Sequence, residues 1–146
     1  MINIQISRNF HKQVDREFLL KTTSRILNLL TDQTYDLSIV VTTNLIIQRL
    51  NKKYLGGNSP TDVLSFPSLE NNCDTGNIYL GDVVLAYPYV NDQALSLGVP
   101  FKNELVLLLI HGILHLLGYN HGTPEMKTNM WRIQERTFEQ IFDHQG

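Results

Sequence analysis

The spacing of apolar and polar residues changes several times along the chain, and each change marks an element. "INIQIS" (2–7) alternates apolar and polar positions, the period of a half-buried strand. From Val14 to Leu30 the apolar residues at 14, 18, 19, 26, 27, 29 and 30 recur helically and predict an amphipathic helix. "LSIVVTT" (37–43) is β-branched and reads as a second strand. Thr43 or Asn44 can cap a helix running to about Lys53, with Leu45, Ile46, Ile47 and Leu50 on its buried side. "LGGNSPT" follows, where paired glycines and Ser-Pro enforce an irregular loop. "DVLSF" (62–66) predicts a short strand that Pro67 stops, since a proline in a strand pattern marks an edge or an end. "NIYLGDVVLA" (77–86) predicts another, with Gly81 as a possible bulge.

A short helix is expected between Tyr87 and Leu97. The run "FKNELVLLLIHGILHLLG" (101–118) is apolar on nearly all sides, so that helix belongs inside the protein. A last helix starts near Pro124, a residue suited to a first turn, and runs to about Phe142. Strands and helices interleave, which predicts an α+β fold: a small, mostly four-stranded mixed sheet packed on helices.

Composition adds limits to this pattern. A length of 146 residues suggests one domain, 1–146, large enough for a real core. The hydrophobic share of 42% and charged share of 18% are those of an ordinary globular protein. A net charge of −2 gives no global positive field, so any nucleic-acid binding must rest on a local patch. One cysteine, Cys73, excludes an internal disulfide and fits a reducing compartment. The N-terminus lacks a basic region followed by a long apolar run, and the longest apolar run, "LVLLLI", is too short to cross a bilayer. A cytoplasmic protein without membrane association is expected.

The chemistry concentrates in "HGILHLLGYNH" (111–121), which holds three of the five histidines. His111 and His115 are four apart, so on a helix their side chains share a face and can reach one ion. Gly118 follows three residues later, where a glycine in left-handed geometry ends a helix and turns the chain. His121 then returns from the loop as a third nitrogen donor. Two buried histidines on one face would otherwise each need a hydrogen-bond partner away from water, a costly arrangement without a metal. Three protein ligands with an open fourth position match a catalytic rather than a structural zinc site.

The spacing H-x-x-x-H-x-x-G-x-x-H is also that of the metzincin proteases. Those enzymes carry a glutamate base directly after the first histidine, whereas this chain has Gly112. The glycine argues against proteolysis while leaving the metal site intact.

"HGILHLLGYNH" resembles the H-G-x-L-H-L-x-G-Y-D-H signature of the bacterial YbeY family, rRNA maturation factors described as single-strand endoribonucleases. "PTDVLSFP" (60–67) matches that family's second signature, and "YLGDVVL" (79–85) resembles its L-G-D-I strand. The order and spacing fit along nearly the whole chain. The resemblance implies a zincin-like arrangement with His111, His115 and His121 holding one zinc ion on a central buried helix. It implies a metal-dependent hydrolase of single-stranded RNA, acting in small-subunit rRNA 3′-end processing and ribosome quality control. Its partners would be rRNA and the ribosome or small-subunit assembly intermediates, not DNA.

Two positions depart from the family pattern. The family's L-N-x-x-Y-R, whose arginine is held to matter for catalysis, becomes "LNKKYL", with Leu55 at the arginine position. Its G-Y-D-H becomes Gly118-Tyr119-Asn120-His121, which keeps a hydrogen-bonding oxygen but loses a charge near the metal. The nearest cations to Leu55 are Arg49, Lys52 and Lys53. They complement a helix C-terminus and are equally candidates for contacting RNA.

Other residues receive structural expectations. Asp62 is expected to accept backbone hydrogen bonds in its turn, with a catalytic role for Asp62 or Asp82 the minority reading. Ser65 lacks the flanking glycines of a nucleophile elbow. Tyr54, Phe66, Tyr79 and Tyr87 could stack bases, with core packing the default for most. Met126 and Met130 are expected to serve helix packing rather than to sit beneath a metal. His11 and His144 read as surface histidines.

Three functions therefore remain: an endoribonuclease, a non-catalytic zinc-binding ribosome-assembly factor, and, disfavoured by Gly112, a metallopeptidase. Whether water or the RNA 2′-hydroxyl would attack stays open.

Overall fold

A computed structural model describes residues 1–59 and 61–143. Four strands, β1 (Ile2–Ile6), β2 (Tyr35–Thr42), β3 (Val63–Asn71) and β4 (Ile78–Ala86), combine with helices α1 (Arg16–Leu30), α2 (Asn44–Leu50), α3 (Tyr87–Leu97), α4 (Phe101–Leu116) and α5 (Pro124–Asp143) in the order β1-α1-β2-α2-β3-β4-α3-α4-α5. The sheet order is β1-β2-β4-β3. β1 and β4 run parallel to β2, and β3 is antiparallel to β4, so the sheet is mixed as expected.

Alternation along the strands divides the apolar residues between two faces. One set, including Ile4, Leu37, Ile39, Val41, Val83 and Leu85, packs with Leu19 and Ile26 of α1, most of α4, and Met130 and Ile141 of α5. On the other side, Ile47 of α2 packs with Leu64, Val84 and Ala86. α4 is buried along most of its length, from Glu104 to Leu116, as its continuous apolar run predicts.

Several boundaries differ from those read in the sequence. Val14 is buried but precedes α1; Asp15 caps that helix, its carboxylate accepting from the Glu17 and Phe18 amides. α2 is capped by Thr43 and ends at Leu50, where the chain passes into a π turn over Asn51–Leu55 before left-handed Gly56. Pro67 does not stop β3, which continues to Asn71. β3 is an edge strand paired only with β4, so a residue without an N–H can be accommodated on its open side. The expected irregularity at Gly81 is present: Asp36 pairs with Tyr79 and Leu37 with Gly81, leaving Leu80 as the extra residue.

Candidate metal centre

The end of α4 and the loop after it are set by local hydrogen bonds. The Tyr119 amide donates to the Leu114 carbonyl at 3.0 Å and the Gly118 amide to that of His115 at 3.1 Å. This is the paired pattern of a Schellman turn, with Gly118 at φ 101° in the position that needs a left-handed residue. Next, the Asn120 side-chain oxygen accepts from the Gly122 amide at 2.8 Å, and Thr123 caps α5 by accepting from the Met126 amide at 3.1 Å. His121 sits between these turns, which direct it back toward α4.

His111 and His115 are half-buried, and His121 is exposed. Their ligand atoms all lie within 4.8 Å of one another. The Nε2 atoms of His111 and His115 are 3.1 Å apart, and those of His115 and His121 3.2 Å. Two nitrogens bound tetrahedrally at 2.0–2.1 Å are separated by roughly 3.3–3.4 Å, so the spacing suits one small divalent ion with little adjustment. His111 Nδ1 lies 2.9 Å from Gln134 Oε1 on α5. That oxygen can only accept, so the ring proton belongs on Nδ1 and the Nε2 lone pair faces the other two rings. Burial, followed by the charges of His111 and then His121, pushes the His115 pKa down, against a hydrogen bond with the Tyr119 backbone. A neutral imidazole is the form a metal requires. The three residues could thus hold a metal ion.

Gly112 has a second reason to be glycine. A Cβ there would stand 2.7 Å from Val83 Cγ1 and 3.2 Å from Ser65 Oγ. The position faces the sheet at a close helix–strand approach, where Ser65 Oγ donates to the Gly112 carbonyl at 2.9 Å. No glutamate base fits without separating α4 from β4. Ser65 is thereby a structural anchor.

His111 and His115 open onto a depression of about 580 Å³, lined also by Leu55, Asp62, Ser65 and Asn120. Leu55, at the family's arginine position, is exposed there. Arg49, Lys52 and Lys53 are exposed but do not line the depression; Lys53 Nζ instead lies 5.2 Å from the Tyr54 ring centre. Asp62 accepts from the Val63 amide at 2.8 Å, as expected for a turn residue. Asp82 accepts from the Tyr79 hydroxyl. Tyr87 packs between Phe10 and Phe101, whereas Tyr54 is exposed and meets Phe66 edge-on. Met130 is buried in the core and Met126 is exposed. His11 is exposed, and His144 lies outside the described residues.

Two contributors escape sequence reasoning. Gln134 meets His111 from 23 positions away on a face of α5 with no distinguishing pattern. Glu104 carried a signal, an acid inside an apolar run. It is buried and accepts from Gln93 Nε2 at 3.0 Å, while the same amide reaches Asp62 at 3.4 Å. Asn120 lines the depression with His111 and His115, and its side-chain oxygen holds the loop that carries His121.

A mixed sheet over a buried helix that carries two of three convergent histidines, the third returning from the next loop, defines an α+β scaffold that could hold a metal ion and lacks a peptidase base. Residues 3–142 match the family model for endoribonuclease YbeY, and the chain belongs to that family of nucleases. The endoribonuclease YbeY of Persephonella marina is 38% identical over 131 residues, 89% of this chain and 86% of its own. That of Dehalococcoides mccartyi strain CBDB1 is 40% identical over 153 residues, covering 96% and 92% respectively. The solution structure of TM1509 from Thermotoga maritima superposes with a TM-score of 0.66 at 26% identity, over 99% of this chain and 91% of that one.

Proposed function

We propose that the chain, as one domain over 1–146, is a zinc-dependent endoribonuclease of single-stranded RNA acting in rRNA maturation. Small-subunit rRNA 3′-end processing and ribosome quality control in the cytoplasm would be its setting, with small-subunit assembly intermediates as partners. The carrying observation is the convergence of three imidazole nitrogens within 4.8 Å of one another, with His115 Nε2 at near-tetrahedral spacing from the other two, beside an open depression. Among the described residues no single helix is long and apolar enough to cross a membrane.

One zinc ion per chain would be held by His111, His115 and His121. When bound, such an ion supplies Lewis acidity toward a phosphoryl oxygen and activates a water. The protein's own part is positioning. Gln134 keeps the His111 proton on Nδ1, the Schellman turn and Asn120 place His121, and Asp62 orders the backbone at the start of β3. Arg49, Lys52 and Lys53 lead along the π turn toward Leu55 and would guide an RNA backbone to the depression by charge.

One observation favours the non-catalytic assembly factor as a second reading: among the described residues no Lys or Arg lines the depression, where the family arginine would stand. Cleavage of single-stranded RNA, duplex RNA and casein by metal-loaded protein, with and without chelator, separates the readings. Chelator-sensitive cutting of single-stranded RNA alone is expected. Tight zinc binding without RNA cleavage would establish the assembly factor, and casein cleavage would establish a peptidase.

A further inference from the structure

His111 is a wall shared by two depressions. Beyond the one beside β3, it lines with His121 a second, of about 260 Å³, completed by Lys127, Thr128, Met130, Trp131 and Gln134 of α5. Trp131 is the chain's only tryptophan, yet 61% of it is exposed. A core role would bury that ring; here its neighbour Met130 is the buried residue, at 1%. Lys127 lies four residues earlier, on the same face of α5. Among the described residues it forms no ion pair. An exposed indole and a free ammonium thus adjoin the residues that would hold the metal.

We propose that Trp131 and Lys127 form a nucleotide subsite: the indole stacks on an unpaired base of single-stranded RNA, and Lys127 holds an adjacent phosphate. This rests on the endoribonuclease reading and adds where the nucleotide beside the scissile phosphate goes. Continuity selects the occupant. A phosphate brought to the triad carries its neighbouring base toward a small, mostly apolar recess of about 260 Å³. Aromatic stacking accepts any base because every base has a π face, so the subsite selects single strands rather than sequence. Bases already stacked in a duplex cannot enter it.

The single tryptophan makes the subsite directly observable. Metal-loaded full-length protein is titrated with a 2′-O-methyl oligoadenylate, in which attack by the ribose hydroxyl is blocked, and the oligonucleotide is verified to be intact after each titration so that hydrolysis by a metal-activated water is not read as binding. Intrinsic fluorescence is followed together with the anisotropy of labelled RNA. Saturable quenching that parallels the anisotropy is expected, with little quenching by the matching duplex. Trp131→Ala should weaken single-strand binding by about 5- to 150-fold without changing metal content, and Trp131→Phe should restore most of it. Lys127→Ala should weaken binding and lower the salt slope by about one. RNA binding without quenching, and unaffected by Trp131→Ala, would overturn the subsite and leave the endoribonuclease reading standing. Equal quenching by duplex would overturn the stacking claim. No RNA binding by either measurement would overturn both.

Discussion

Gly112→Ala tests whether the glycine is held by packing rather than only by the lack of a peptidase base. The added methyl would lie 2.7 Å from Val83 Cγ1 and 3.3 Å from its Cγ2, against a comfortable carbon–carbon separation of about 3.5–4.0 Å. Val83 cannot easily give way. It is fully buried on β4, its β-branch restricts its rotamers, and its neighbours in the sheet are Ile39 and Ser65. The helix must therefore lift from the sheet or Val83 must leave its rotamer. Overpacking of this kind costs about 1–3 kcal/mol. Replacing a helical glycine with alanine returns about 1 kcal/mol. The expected net effect is a loss of about 1 kcal/mol in urea unfolding, where an unhindered site would gain that amount. Gly112→Glu adds an unpaired buried carboxylate, costing several kcal/mol more, and should yield little folded protein and no peptidase. A Gly112→Ala protein more stable than wild type by about 1 kcal/mol would refute the packing argument.

Three further outcomes follow from single contacts. Gln134→Leu removes the acceptor that fixes the His111 proton and should weaken zinc binding by about 10- to 100-fold in a competitive chelator titration; Gln134→Glu should retain or strengthen it, and unchanged affinity in both would remove the positioning role. Leu55→Arg introduces a guanidinium into the depression beside His111 and His115, and should raise single-stranded RNA cleavage on the order of 10²–10³-fold with unchanged metal content. Asp36 is buried and receives hydrogen bonds from the Met1 amine, Thr75, Asn77 and Asn72, and those bonds hold its carboxyl well below the usual range. With its folded pKa depressed, its contribution is present above the ordinary carboxylate value of about 4 and is lost as pH falls below it. Asp36→Asn should cost about 1.5–3 kcal/mol at neutral pH, and the difference from wild type in urea unfolding should shrink progressively as pH falls below the ordinary carboxylate range.

What the sequence revealed follows the range of the interactions involved. The i, i+4 histidines, the turning Gly118 and the apolar run of α4 are local patterns, and the structure assembles them as their spacing implies. The bulge at Gly81 was legible for the same reason. Pro67 signalled an edge or an end of a strand, and only the sheet order decides between them: β3 is the edge strand and runs on past the proline to Asn71. Gly112 was legible as a missing base but not as a packing requirement, since Val83 is 29 positions away in the chain. Gln134 and Trp131 were missed because they reach the triad from α5, and nothing local marks which face of that helix will meet α4.

The central claim, that a metal held by the triad drives RNA cleavage, is tested most directly by elemental analysis and single-stranded RNA cleavage on the same preparations of wild type and His115→Ala. Wild type is expected to carry one zinc per chain and to cut RNA, and His115→Ala, equally folded, to lose both metal and cleavage. Equal metal content in the two proteins, or RNA cleavage that survives the loss of metal, would contradict the account.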